Sequence, residues 1–402
     1  MRVALLPDDY LPNSTRVHAK MFHELALELK SRGHEPIIIT PGEPNQHSTL
    51  VINTIDDIEI WRFKSGRTRD VGRVKRALNE SLLSIRAWLA IRRKVKSMPF
   101  DLCINYSPTI FFGLLAKKIQ KHGAYVYLIL RDMFPQWVID EGLIKEGSPI
   151  ARYFRFFERL NYKTSDCIGL MSQANLILFH KLHPGYPNAQ ILMNWANTEP
   201  LQTQSEKNWR EEWQLHGKLV FFYGGNIGHA QDMTNLMRLA RGMLDIPEAH
   251  FLFVGQGDEF DIIQQLKNDW LLTNVTIKPS VSQSIYRELL TQVDIGLFSL
   301  SAKHSAHNFP GKLLGYMVES LPIIGSVNLG NDVIELINEN DAGSVFVNGE
   351  DELLLAASRR LFESSQLRQV KGANSRMLLE RYFSVESAVD TILSATKQGL
   401  PK

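Results

Sequence analysis

Lys312 follows Asn308-Phe309-Pro310-Gly311 and opens Leu313-Leu314-Gly315-Tyr316-Met317-Val318, whose apolar residues recur at helical spacing. Asn308 has the side chain of a helix cap, and Pro310 presets the backbone for a first turn. Upstream, Ile295-Gly296-Leu297-Phe298 reads as a buried strand; downstream, Leu321–Ile324 reads as the next one. A lysine where a strand, a polar loop and a helix meet is a seat for phosphate, because free N–H groups and the positive helix end face the anion. An ordinary strand–helix–strand crossover with a surface lysine has the same pattern. Gly224-Gly225-Asn226-Ile227-Gly228 and Val254-Gly255-Gln256-Gly257-Asp258 each follow an apolar run. Glycine there lets main-chain N–H groups approach a pyrophosphate, although any tight turn uses glycine too. Asp132, in Arg131-Asp132-Met133-Phe134-Pro135, follows the apolar run Tyr125–Leu130 and suits a base or an acceptor for a sugar hydroxyl. A carboxylate paired with its neighbouring arginine for structure fits equally.

The chain lacks GxSxG, HExxH and GxxxxGK[ST], and Pro7-Asp8-Asp9-Tyr10 stands after the first apolar run in place of GxGxxG. That argues against a nicotinamide or flavin enzyme. His304 and His307 have no cysteine nearby, and neither Asp56-Asp57 nor Asp258–Asp261 has a suitable partner, so no metal site is expected.

The elements that must position these groups alternate. Val3–Leu6, Glu35–Thr40, Asp101–Asn105, Tyr125–Leu130, Cys167–Met171 and Ile191–Met193 read as strands. Helices are expected between them at about 17–32, 109–121, 149–164 and 174–182. A polar stretch from Glu199 to Gly217 follows, and the alternation restarts at Leu219–Tyr223. This pattern predicts an α/β protein of two doubly wound, Rossmann-like domains with ligands at the strand ends in the cleft between them. The expected domains are 1–198 and 199–383, with a helix from about 384 to 402 packing back on the first.

The composition is globular, with 44% hydrophobic and 22% charged residues and a net charge of +2, which argues against nucleic-acid binding. The charge is uneven: from Trp61 to Met98, twelve Lys and Arg face two acidic residues, so this segment carries +10 and the remainder −8. Trp61, Phe63, Leu82, Leu83, Ile85, Trp88, Leu89 and Ile91 interleave with these cations, as in a basic amphipathic segment that docks on an anionic membrane. A solvated helix face is the alternative. Cys103 and Cys167 lack metal-like spacing and suit a reducing cytosol, and the first apolar run is too short for a signal peptide. A cytoplasmic protein, peripheral on a membrane, is expected.

Gly33-His34, Met193-Asn194-Trp195-Ala196-Asn197, Phe222-Tyr223-Gly224-Gly225, Phe253–Gly257, Phe309–Met317 and Leu321–Ile324 together resemble family 4 glycosyltransferases, which have the two-domain GT-B fold and retain anomeric configuration. More narrowly, Asp8–Pro12, Arg131–Trp137, Gly225-Asn226-Ile227 with Gln231-Asp232-Met233, and Phe309–Met317 are similar to bacterial N-acetyl-L-fucosamine transferases of O-antigen and capsule assembly. The resemblance implies donor contacts from Gly224, Gly225, Asn226, Gln231, Gly255, Gly257, Asn308, Phe309, Pro310, Gly311, Leu313 and Glu319. Asp132 and Lys312 take the catalytic roles, and Asp9, Asn13, Ser14 and Arg131 face the acceptor. It also implies a UDP-sugar donor, no metal or other cofactor, and an undecaprenyl-linked saccharide acceptor at the inner face of the inner membrane.

Three departures from the family pattern stand out. The arginine and lysine that usually hold the diphosphate correspond to Asn226 and Gln231. The usual glutamate pair falls on His307 and Gly315, with Glu319 one turn on as a substitute for the ribose contact. The usual histidine is replaced at Arg131. Two alternatives share the fold: a sugar-nucleotide 2-epimerase, whose acid/base set cannot be assembled here, and a non-catalytic nucleotide-sugar-binding protein.

Overall fold

The computed structural model describes residues 1–399 apart from 13, 15, 16, 44, 67–71, 73–77, 108, 141, 187, 196, 197, 201–206 and 303–308. The chain divides into two compact units, Met1–Trp195 with Val385–Lys402, and Ala196–Ser384.

The first unit is built on an eight-stranded sheet. Its strands are β1 (Arg2–Leu6), β2 (Glu35–Pro41), β3 (Leu50–Ile55), β4 (Ile58–Phe63), β5 (Leu102–Ser107), β6 (Tyr125–Leu130), β7 (Cys167–Leu170) and β8 (Ala189–Ile191). They run in the order β3-β4-β2-β1-β5-β6-β7-β8, all parallel except for β3 against β4. The helices are α1 (Val17–Ser31), α2 (Leu83–Ser97), α3 (Gly113–Gln120), α4 (Gln136–Asp140), α5 (Pro149–Thr164) and α6 (Gln173–Leu182). Successive side chains of a strand face opposite ways, so β1 feeds two cores. Val3 and Leu5 pack with Phe22, Leu25 and Leu29 of α1 and with Val389 and Ile392 of the C-terminal helix. Ala4 and Leu6 pack with Leu83, Ala87 and Ile91 of α2 and Leu115 of α3. Burying each such Leu, Ile or Phe contributes about 1.5–3 kcal/mol.

The hairpin β3–β4 corrects the sequence-based view of the basic segment. Asp56 and Asp57, at φ 48° and 59°, make its two-residue turn, where positive φ fits the twist of the flanking strands. Their carboxylates meet His23 at 2.8 Å and Lys30 at 3.5 Å. Trp61 and Phe63 belong to β4 and are buried, as are Leu83 and Ile91 on the inner face of α2. These four apolar residues serve the core and are not available to a membrane.

The second unit alternates strictly: α7 (Trp209–Glu212), β9 (Leu219–Asn226), α8 (Met233–Gly242), β10 (Ala249–Gln256), α9 (Phe260–Asp269), β11 (Val275–Pro279), α10 (Gln283–Leu290), β12 (Ile295–Ser299), α11 (Lys312–Val318), β13 (Ile323–Val327), α12 (Val333–Glu339), β14 (Gly343–Val347), α13 (Asp351–Glu363) and α14 (Ser365–Tyr382). The last helix, α15 (Val385–Gly399), belongs to the first unit. All six strands are parallel in the order β11-β10-β9-β12-β13-β14, so the winding reverses between β9 and β12. Such a switch point is where open parallel sheets bind ligands, beyond the carboxyl ends of the strands.

Candidate functional site

The register across β9, β10 and β11 aligns Gly225 with Gly255 and Gly255 with Pro279. This row brings together the two glycine turns seen in the sequence and the end of β11. A side chain at Gly255 would place its Cβ 1.9 Å from the Gly225 carbonyl oxygen, so only glycine fits there. Gly225 has φ 130°, a conformation that L side chains rarely adopt. The result is a floor of bare main chain beneath a cavity of about 550 Å³. Gly224, Gly225, Asn226, Gly255, Gly311 and Lys312 line it, together with Gln256, Ser280, Val281, Gln283 and Tyr286, whose ring packs where a Cβ on Gly224 would stand.

Tyr316 holds this floor from below. Its buried hydroxyl accepts from the Gly224 N–H at 3.4 Å and donates to the Leu297 carbonyl oxygen at 2.9 Å, tying β9 to β12. Lys312 reaches in above. Its Nζ lies 3.6 Å from the centroid of the Tyr223 ring, and a Cβ added to Gly225 would lie 3.5 Å from its Cε. Among the described residues no carboxylate pairs with it. Burial without an anion pulls its pKa down from 10.5 to about 7. An anion beside Nζ would reverse that shift.

The two neutral replacements, Asn226 and Gln231, satisfy each other: the Asn226 amide donates to Gln231 Oε1 at 2.7 Å. Across the cavity, Ser280 Oγ donates to Gln256 Oε1 at 2.8 Å. Tyr286 sits on α10, which Ser282 caps by accepting the Ile285 N–H at 3.4 Å, a contact type that contributes about 1 kcal/mol. The Tyr286 hydroxyl is buried at the cavity and has no hydrogen-bond partner. Burial pushes its pKa up, so it stays a neutral donor. Tyr286, Ser280, Val281 and Gln283 were not anticipated. Their only sequence signal is that a third apolar strand, Val275–Pro279, runs into Ser280, as the other two run into a glycine-containing turn.

Several of the expected donor-binding residues do not line this cavity. Leu313 is wholly buried and its N–H bonds the Pro310 carbonyl at 3.0 Å, so it belongs to the core. Phe309 stacks on Phe383 with centroids 4.7 Å apart. Gly257 is pressed against Ile227, where a Cβ would meet the Ile227 carbonyl oxygen at 2.1 Å. Glu319 ends α11, and neither it nor Pro310 lines the cavity. Helix α11 begins at Lys312, with Gly311 at its cap and no side-chain cap bond. Asn308, His304, His307 and Asn13 lie outside the described residues. Among the described residues no group of three His, Cys, Asp or Glu is arranged to hold a metal ion.

In the first unit, the strand ends of β1, β5 and β6 gather a second polar group. His18 Nε2 lies 3.1 Å from Asp8 Oδ1, and Ser14 Oγ donates to Asp9 at 2.5 Å. Arg131, expected on the acceptor side, has a structural role here. It donates to the Leu192 and Met193 carbonyl oxygens at 2.5 and 3.1 Å and lies over the Trp195 ring, bracing the chain beyond β8. Burial lowers its pKa to about 10. Asp132 does not pair with Arg131; its main-chain carbonyl accepts from Ser107 Oγ at 3.3 Å, its side chain is exposed, and desolvation by the surrounding protein pushes its carboxyl pKa up.

Residues 205–377, most of the second unit, match the family model described as glycosyl transferases group 1. The chain is 23% identical over 315 residues to the putative colanic acid biosynthesis glycosyl transferase WcaI of Escherichia coli K12, covering 74% of this chain and 76% of that one. Among solved structures it is similar to WaaG, a glycosyltransferase involved in lipopolysaccharide biosynthesis, with TM-score 0.58, 16% identity, and coverage of 97% of this chain and 99% of that one. It is also similar to Anabaena HepE in complex with UDP-glucose, with TM-score 0.62, 13% identity and full coverage of both chains. The fold is GT-B.

Proposed function

We propose that this chain is a family 4, retaining, metal-independent glycosyltransferase. It moves a sugar from a UDP-linked donor to an undecaprenyl-linked saccharide during synthesis of a bacterial surface polysaccharide, O-antigen or capsule. The colanic acid and lipopolysaccharide enzymes among its relatives support that setting, and HepE with its UDP-glucose supports the donor class. The similarity of Arg131–Trp137 and Phe309–Met317 to N-acetyl-L-fucosamine transferases favours that sugar. The protein then works in the cytoplasm, at the inner face of the inner membrane.

The observation that carries the proposal is Lys312, half-buried and without a carboxylate partner among the described residues, beside a floor of main chain at Gly225 and Gly255. An anion is the missing partner, and a diphosphate fits the groups on offer. In the transfer, the bond between the anomeric carbon and the phosphate oxygen breaks as the acceptor oxygen bonds that carbon. The acceptor proton passes to the departing phosphate on the same face. Charge builds on the diphosphate, so groups already aimed at it lower the barrier. Lys312 and the main chain at Gly225 hold the leaving group, the Gly224 and Ile227 N–H groups being taken by Tyr316 and by the Gln256 carbonyl; Tyr286 donates from beside Gly224, and Asp132 orients a sugar hydroxyl.

Incubation with UDP-N-acetyl-L-fucosamine and a lipid-linked N-acetylglucosamine acceptor tests this directly. Transfer supports the proposal, whereas an epimerised donor or binding without turnover rejects it in favour of an epimerase or a non-catalytic binding protein. If that sugar is not transferred, a screen of UDP-, GDP- and dTDP-sugars separates a wrong donor from a wrong reaction.

A further inference from the structure

Helix α2 is apolar on two opposite faces. Leu83, Ala87, Ile91 and Val95 face the core and are buried. Leu82, just before the helix, and Ile85 and Leu89 recur at spacings of three and four on the other side, and Ile85 and Leu89 are 49% and 56% exposed. The same outward stripe continues as Arg92, Arg93 and Lys96, all exposed. A helix that only closed a core would be polar on this side.

Helix α5 repeats the arrangement. Its outer face carries Arg152, Tyr153, Phe156, Arg159 and Lys163, and Phe156 is 60% exposed. Its one acidic residue, Glu158, points inward to Arg155 at 3.1 Å and is buried. Both helices pack against α3, and the chain leading into α2 reaches α5 where Ser81, next to Leu82, contacts the Tyr153 hydroxyl. Below that contact, the rings of Phe154, Phe157, Phe134 and Phe111 pack edge to face with centroids 4.8–5.4 Å apart through Tyr153, so the outer residues stand on a rigid base. Among the described residues none of the six outward cations makes an ion pair.

We infer that the outward faces of α2 and α5 form a surface that seats on an anionic lipid bilayer. The chemistry decides the occupant. Exposed Leu, Ile, Tyr and Phe flanked by unpaired Arg and Lys, with no carboxylate on either face, match the boundary between acyl chains and negatively charged head groups. Tyrosine and long basic side chains suit that depth because each has an apolar body and a polar tip. Trp61, Phe63, Leu83 and Ile91, which the sequence pattern also offered, take no part, since they lie in the core. The inference deepens the proposed function and rests on it for its purpose, delivery to a lipid-linked acceptor, but its test does not require turnover.

The full-length protein is sedimented with phosphatidylcholine vesicles, with and without phosphatidylglycerol. The wild type should bind only the anionic vesicles and be released by salt. Arg92→Gln/Arg93→Gln/Lys96→Gln should weaken binding roughly a hundredfold, at about fivefold per cation. Ile85→Ser/Leu89→Ser/Phe156→Ser should weaken it at least tenfold. Both variants should keep the wild-type melting temperature and its transfer rate to a soluble acceptor. Equal binding to neutral vesicles, no binding by the wild type, or variants that bind like the wild type would overturn the inference. So would self-association in sedimentation velocity that the apolar variant abolishes without any vesicle binding, because a second copy would then cover the face. If vesicles are bound as expected but no sugar is transferred, the surface stands and the proposed reaction fails.

Discussion

The strand ends of the two units solve opposite problems. In the second unit, β9, β10 and β11 end in a floor of main chain, and two groups beside it, Lys312 and the Tyr286 hydroxyl, make no hydrogen bond or ion pair among the described residues. In the first unit, the corresponding strand ends carry side chains that mostly turn to one another: Asp8 lies beside His18, Asp9 accepts from Ser14, and Arg131 donates to two carbonyl oxygens while its Nε has no hydrogen-bond partner. Buried polar capacity left open costs stability and is retained where a ligand completes it; capacity already satisfied holds a structure together. Asp132, exposed and with a raised carboxyl pKa, is the exception in the first unit.

That contrast is broken most directly at Lys312. Lys312→Ala should lower turnover by roughly a hundredfold or more, the scale of a lost oxyanion donor, with the fold intact by circular dichroism. Activity near normal would place the diphosphate elsewhere.

The pH dependence of donor binding sharpens the same point. Lys312 has a pKa of about 7 without a ligand, and a bound diphosphate raises it. Binding therefore takes up a proton above pH 7. Affinity for UDP-glucose, whose phosphate diesters hold their charge, should be flat below pH 7 and fall by up to about tenfold per unit above it. Calorimetry in two buffers of different ionisation enthalpy reports the uptake, and Lys312→Met should abolish it. For the free protein the sign is opposite. The folded state binds fewer protons than the unfolded state between about 7 and 10.5, so this group adds stability as pH rises through that window.

Smaller effects separate the two regions further. Tyr286→Phe removes one neutral donor and should raise the donor KM about five- to tenfold, the effect of roughly 1–1.5 kcal/mol, with little change in melting temperature. Arg131→Met should act the other way. Leaving the Leu192 and Met193 carbonyl oxygens without their donor should cost about 1–3 kcal/mol of stability in chemical denaturation, with donor binding unchanged. A large loss of donor affinity in Arg131→Met would show that the first unit is not self-contained.

The alternation of apolar runs made the parallel sheets legible, because each strand is buried on both faces and reads as a continuous apolar stretch. The hairpin Leu50–Phe63 was not read, since its strands form one edge of the sheet and Val51 and Ile52 stay exposed. Glycine at 225 and 255 was visible because glycine has few other reasons to end an apolar run. Tyr286 was invisible because nothing in spacing says that β11 lies beside β10, so that the helix after it overhangs the glycine floor. Leu313 shows the converse: adjacency to Lys312 in sequence is not adjacency in space, as successive helical residues point about 100° apart.

The amide pair Asn226–Gln231 has a consequence for range. Where two cations would cast a field well beyond the surface, two dipoles joined head to tail cancel most of theirs within a few ångströms. A donor approaching this site would be drawn by Lys312 alone. Selection would then rest more on shape and on the fit of bare peptide to phosphate, and donor capture should vary with ionic strength only as steeply as one cation allows.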